Sequence, residues 1–104
     1  MARFSQLAGF TSGRATVTTA GTPVQLSSTS TVIPPGVSLV IKSANANTGT
    51  IHVGNSSDNA NNASSTVSFR LLPNEAITLE VDNLLRVWVD STVSGEIVEY
   101  IFER

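Results

Sequence analysis

Apolar and polar residues alternate along most of this chain. A period of two residues is typical of half-buried β-strands, and no segment sustains the i, i+3, i+4, i+7 apolar spacing that a helix needs. The alternating segments predict eight short strands, which begin near Arg14, Val24, Val37, Ile51, Val67, Ile77, Leu85 and Glu96.

Turn-forming residues separate these segments. Pro34-Pro35-Gly36, the stretch 45–49 and Pro73-Asn74-Glu75 are strong turn signals. Turns every ~8–12 residues indicate an all-β fold, a two-sheet β-sandwich of antiparallel strands. A jelly roll is favoured over an immunoglobulin-like sandwich, because the chain has no cysteine for a Cys…Trp…Cys arrangement.

Residues 1–13 do not follow the strand pattern and predict an extended N-terminal arm before a β-sandwich domain over 14–104. Large apolar side chains recur every third residue in this arm, and glycines then interrupt the spacing. Such anchors need a surface to lie on, either the chain's own domain or a neighbouring protein. The predicted contact residues of the arm are Arg3, Phe4, Leu7, Phe10 and Arg14.

Several predicted strands are apolar on both faces. In the last strand Val98 and Phe102 share one face, while Ile97 and Ile101 share the other. A chain of this size has no helices to cover a second face, so we interpret the surplus as a subunit interface, the alternative being a misread register. The residues assigned to an oligomer interface are Val40, Arg86, Trp88, Ile97 and Ile101.

Composition narrows the possible functions. Six basic and eight acidic residues give a net charge of −2, which argues against nucleic acid as a partner. No apolar run is long enough to span a membrane and no secretory leader is evident, so we expect neither a membrane association nor a leader. Instead 14 Ser, 12 Thr and 8 Asn supply the polar surface, which suits lasting contacts with protein partners.

Candidate chemistry is sparse, so we expect neither an enzyme nor a cofactor. His52 is the single histidine, and its alternation with apolar neighbours predicts a surface position. Glu80 and Asp82 share a strand face, as a carboxylate pair for glycoside hydrolysis or, more commonly, as a solvated face. The polar segment 54–65 predicts a mobile loop, and its oxygens around Asp58 could bind calcium although the EF-hand glycine and glutamate are missing.

Three runs carry a resemblance to a known class of protein: Val17-Thr18-Thr19-Ala20-Gly21-Thr22-Pro23-Val24-Gln25-Leu26, Asn47-Thr48-Gly49-Thr50-Ile51-His52-Val53-Gly54 and Leu72-Pro73-Asn74-Glu75-Ala76-Ile77-Thr78-Leu79. In this order they resemble a strand pair, a hairpin and a turn of small virion proteins of tailed bacteriophages, over roughly residues 14–103. Asn74 stands where that pattern has glycine, and the segment 55–65 departs from it.

The resemblance implies a capsid decoration, or cement, protein on the outer surface of the virion, made in the host cytoplasm. Its expected partners are the phage major capsid protein, whose neighbouring subunits it would bridge, and copies of itself in a dimer or trimer. The alternatives are a tail or head-fibre component or adaptor, or a glycan-binding β module.

Overall fold

The computed structural model describes residues 9–104, and eight strands form two antiparallel sheets of four. The strands are β1 (Phe10–Val17), β2 (Val24–Gln25), β3 (Leu39–Ser43), β4 (Ile51–Gly54), β5 (Phe69–Leu71), β6 (Ala76–Leu79), β7 (Trp88–Ser91) and β8 (Glu96–Glu103). A short helix, α1 (Ser57–Ala60), and a 3-10 turn (Leu84–Arg86) complete the elements. No helix in this described part of the chain has the length and apolarity to cross a membrane.

The strand order confirms the predicted jelly-roll sandwich. The first sheet runs β1-β8-β3-β6 and the second β2-β7-β4-β5. The first strand therefore pairs with the last, the second with the seventh, the third with the sixth and the fourth with the fifth. This is one long antiparallel hairpin curled into two facing sheets, which is the jelly-roll arrangement.

The core lies between the sheets and follows the predicted alternation. Leu39 and Ile41 of β3 face Ile51 and Val89 of the second sheet's strands as fully buried side chains. Fifteen buried apolar residues, most from the inward positions of the strands, form one cluster. Interior packing of this kind removes apolar area from water and is the main stabilising contribution of a small sandwich.

The sheet begins earlier in the chain than the alternation predicts. β1 starts at Phe10, and residues 10–13 pair with residues 100–103 of β8. That part of the predicted arm therefore belongs to the sheet, and β8 satisfies its backbone hydrogen bonds. The sequence does not reveal this, because the small Ser12 and Gly13 hide the alternation. The predicted contacts Arg3, Phe4 and Leu7 lie outside the described residues.

Two of the motifs that carry the phage resemblance have structural roles. The buried Asn47 donates to Ile97 O at 2.7 Å and accepts from Ile97 N at 2.9 Å, which ties the turn after β3 to β8. Buried Glu96 accepts from the backbone N–H of Thr48 at 2.9 Å. Asn74 has φ of 72°, a left-handed conformation that favours glycine and that asparagine tolerates.

Candidate functional site

The outward side of the first sheet brings together residues that the sequence assigned to two different contacts. Phe10 and Arg14 come from the predicted arm set, and Val40, Ile97 and Ile101 from the predicted oligomer set. In the register, Val40 pairs with Ile101, Phe10 with Glu103 and Arg14 with Glu99. All of these point away from the core, so the strand register was read correctly; we call this surface the outer face.

Large apolar side chains of the outer face are open to solvent. Phe10 is 67% exposed and Ile101 41% exposed, with Val40 half-buried between the neighbouring strands. A depression of 440 Å³ beside Phe10 and a smaller one of 190 Å³ beside Lys42 share Val40 and Ile101 as lining. This gives the outer face a shallow apolar relief, the shape that a protein surface rather than a small molecule fills.

Charges on the outer face compensate one another. The Arg14 guanidinium lies 3.6 Å from a Glu99 carboxylate oxygen, and Lys42 is the register partner of Glu99 on the other side. Exposed pairs of this kind contribute little to stability. They leave the face close to neutral, so that apolar burial rather than net charge would dominate a contact made there.

The two remaining predicted interface residues lie elsewhere. Trp88 is on the outward side of the second sheet, opposite Gly54 and Gln25, and is half-buried. Arg86 is exposed in the 3-10 turn and forms an ion pair with Asp82, which lowers the pKa of Asp82 and raises that of Arg86. The five residues assigned to one interface therefore do not form a single patch.

The outward side of the second sheet is covered at β4, which corrects the predicted surface position of His52. Its side chain is only 8% exposed, and its Nδ1 lies 2.7 Å from Ser68 Oγ. Burial, and next the guanidinium of Arg70, lower the pKa of His52, while Asp90 opposes them. The alternation of apolar residues predicts the correct face of the strand for His52, but it does not predict the segment that lies over this face.

The covering segment is 55–68, which includes most of the stretch 54–65 that the sequence predicts to be a mobile loop. It folds into α1, capped by Ser56 Oγ accepting from Asn59 N at 3.1 Å. Asp90, fully buried in β7, holds it down: Oδ2 accepts from Asn62 N at 2.7 Å and from Asn62 Nδ2 at 2.8 Å. Gly54 is required beneath it, because a Cβ there would stand 2.6 Å from Ala60 N.

One of the oxygens that suggested a calcium site, that of Asn61, is engaged within the segment. Asn61 Oδ1 accepts from Ala63 N at 2.9 Å, and Asn59 donates to Asn55 at 2.6 Å. Within residues 9–104 no group of three His, Asp or Glu side chains is arranged to hold a metal ion. The polar residues of this segment thus cover part of the second sheet and bind the segment to it.

A second apolar surface, which the sequence did not reveal, lies at one side of the sandwich. β5 ends the second sheet and β6 ends the first, and a cleft of 460 Å³ opens between them. Its apolar lining comes from both sheets and consists of Val53, Phe69, Ile77, Leu79, Val81 and Val87. Phe69 is 56% exposed although it is on the inward side of β5, opposite Val53.

Comparison with known proteins returned no matching family model, no matching curated protein and no matching solved structure.

Proposed function

We propose that this chain is a phage structural protein that decorates a capsid and stabilises it by bridging neighbouring major capsid subunits. The observation that carries the proposal is the outer face, where Phe10 and Ile101 stay exposed on the first sheet while the inward side of that sheet packs into the core. The three motifs that resemble small virion proteins supply the kind of partner. The outer face supplies the surface through which that partner is bound.

The contact would work by removing apolar area from water. Burial contributes about 25 cal/mol per Å² and is not weakened by salt. A shell repeats each contact at every symmetry-related position, so a modest contribution per copy raises the resistance of the whole shell to internal pressure. Arg3, Phe4 and Leu7 would add contacts from the segment that precedes β1.

A first experiment counts copies in purified phage particles by quantitative mass spectrometry. Hundreds of copies per particle support shell decoration. A few copies per particle would contradict it and indicate a tail or head-fibre component instead.

A second experiment measures occupancy after substitution. Particles stripped with urea are re-decorated with isolated chain carrying Ile101→Lys, with Val93→Lys as the matched control. Both side chains are 41% exposed, but Val93 lies in the turn between β7 and β8. We expect Ile101→Lys to lower the bound fraction about tenfold and Val93→Lys to leave it unchanged; equal binding of both variants contradicts the use of the outer face.

A salt series separates apolar from charge-driven attachment. Exposed charges are screened within about 10 Å at 0.1 M salt, whereas the proposed contact is apolar. The attached protein should remain on particles in molar salt and be released by urea or guanidinium. Release by moderate salt alone would assign the binding to Arg3, Arg14 and Lys42 against an acidic patch.

A further inference from the structure

We propose that the open side of the sandwich, between β5 and β6, is a homotypic docking surface whose occupant is a second copy of this chain. The cleft there is distinct from the outer face, which faces away from the core on the first sheet. Self-association through this cleft would occur in the isolated chain and does not depend on the proposed binding to a shell.

Large apolar side chains in and around β5 are exposed to solvent. Val67 is 67% exposed, Phe69 56% and Leu72 54%. These three lie within six consecutive residues of the chain, and one of them, Phe69, lines the cleft. Edge strands with exposed apolar side chains are sites at which another chain pairs unless the edge is covered.

The β5 edge and the β6 edge carry opposite charge. Arg70 is the only charged residue of β5 and its flanks from 63 to 74, whereas Glu75, Glu80 and Asp82 follow or precede β6. Asp82 is paired with Arg86, which also lines the cleft, so the β6 side carries three acidic groups and one basic group. Arg70, Glu80 and Asp82 are all exposed. An edge of one sign and an edge of the other, on the same side of one molecule, are complementary to those of a second copy.

The charges also select the symmetry of the pair. A two-fold axis perpendicular to the sheets would set β6 against its own copy and bring the acidic residues together, at a cost. An axis parallel to the strands sets β5 of each copy beside β6 of the other. Arg70 points outward because it pairs with the outward-facing His52. Glu80 points outward because it lies two residues beyond the outward-facing Thr78. In this arrangement the two side chains lie on the same side of a continuous layer.

In this arrangement the two clefts face each other. Each Phe69 side chain, on the inward side of its strand, meets the Ile77 and Leu79 side of the partner's cleft. The first sheet of one copy continues into the second sheet of the other, so that both exposed edges are covered at once. The outer face remains free for a different partner.

The test is sedimentation velocity of the isolated chain over a concentration series up to about 100 μM. Phe69→Ser should abolish self-association, and its control Phe10→Ser, at a still more exposed phenylalanine on the outer face, should not. Arg70→Glu and Glu80→Arg should each weaken the dimer severalfold, because the two opposite charges lie on the same side of the layer and this juxtaposition occurs twice by symmetry. The double variant Arg70→Glu with Glu80→Arg should restore it.

A second charge pair provides the control for net charge. Arg14→Glu and Glu99→Arg make the same changes on the outer face, where they should leave the dimer unaffected. A monomeric wild-type chain throughout the series overturns the proposal. So does loss of self-association in Phe10→Ser but not in Phe69→Ser, or failure of the double charge variant to recover, each with circular dichroism showing folded protein.

Discussion

Asp90 should be the polar side chain on which the covering segment 55–68 most depends. Its carboxylate is fully buried and accepts four hydrogen bonds. Oδ1 accepts from Gly21 N at 3.0 Å and Ser91 N at 2.8 Å, and Oδ2 from two nitrogens of Asn62. The perturbation is Asp90→Asn, which keeps the shape but replaces one acceptor oxygen with a donor.

The magnitude follows from the donors that lose their acceptor. Whichever oxygen is replaced, two nitrogens then face an NH₂ group instead of a carboxylate oxygen. A buried donor left without a partner costs about 1–3 kcal/mol. We therefore expect the free energy of unfolding to fall by about 2–5 kcal/mol, and the melting temperature by about 10 °C or more.

Urea denaturation followed by the fluorescence of Trp88, which lies in β7 with Asp90, measures the loss. Asp58→Asn is the matched control, since it makes the same change at an exposed position in the same segment. It should change stability by no more than about 0.5 kcal/mol. A loss below about 1 kcal/mol in Asp90→Asn would refute the idea that this carboxylate holds the segment on the sheet.

Three further substitutions test other features. Gly54→Ala should cost about 2 kcal/mol or more in urea denaturation, because its Cβ meets the backbone of α1, whereas Gly9→Ala places its Cβ at an ordinary contact distance of 4.0 Å from Arg104 O and should be neutral. Asn74→Ala should be about 1 kcal/mol less stable than Asn74→Gly: both lose the amide bond to Asn45, so the difference reports the positive φ. Because the pKa of His52 is lowered from 6.5 in the folded chain, the unfolded chain takes up the proton first as pH falls. The free energy of unfolding should therefore decrease below about pH 6.5 by an amount that His52→Gln removes, and identical pH profiles for the two proteins would contradict the burial of this imidazole.

The fold was predictable because the alternation of apolar residues is explicit in the sequence. Ile51 and Val53, or Val98 and Phe102, fall on one side of a strand with a period of two, and their neighbours fall on the other. The turn signals predict the strand count, whereas the jelly-roll order follows from the strand pairing. Gly13 and Ser12 carry no such signal, so the start of β1 could be located only from its pairing with β8.

The candidate surfaces were partly predictable for the same reason. Alternation assigns Ile101 and Val40 to the outward side, but it does not say whether another segment covers that side. Over the first sheet nothing described in 9–104 hides Ile101, whereas over the second sheet 55–68 buries His52. The cleft arises where β5 and β6 end their sheets, which depends on the spacing of strands far apart in the chain rather than on local pattern.

The pairing of the first strand with the last has a consequence for how the chain folds. β8 lies inside the first sheet, between β1 and β3, so this sheet cannot be completed until residues 96–103 have been synthesised. Pairings across so much of the chain place the fold among slow, high-contact-order topologies, with folding times of milliseconds to seconds. β4 and β5, the innermost pair, close the shortest loop among the strand pairs of the curled hairpin, so we expect their pairing to have the lowest loop-closure cost. Until β8 has been synthesised, the edges of β1 and β3 that pair with it have no partner. A chain that ends before residue 96 keeps these two strand edges unpaired and therefore open to aggregation.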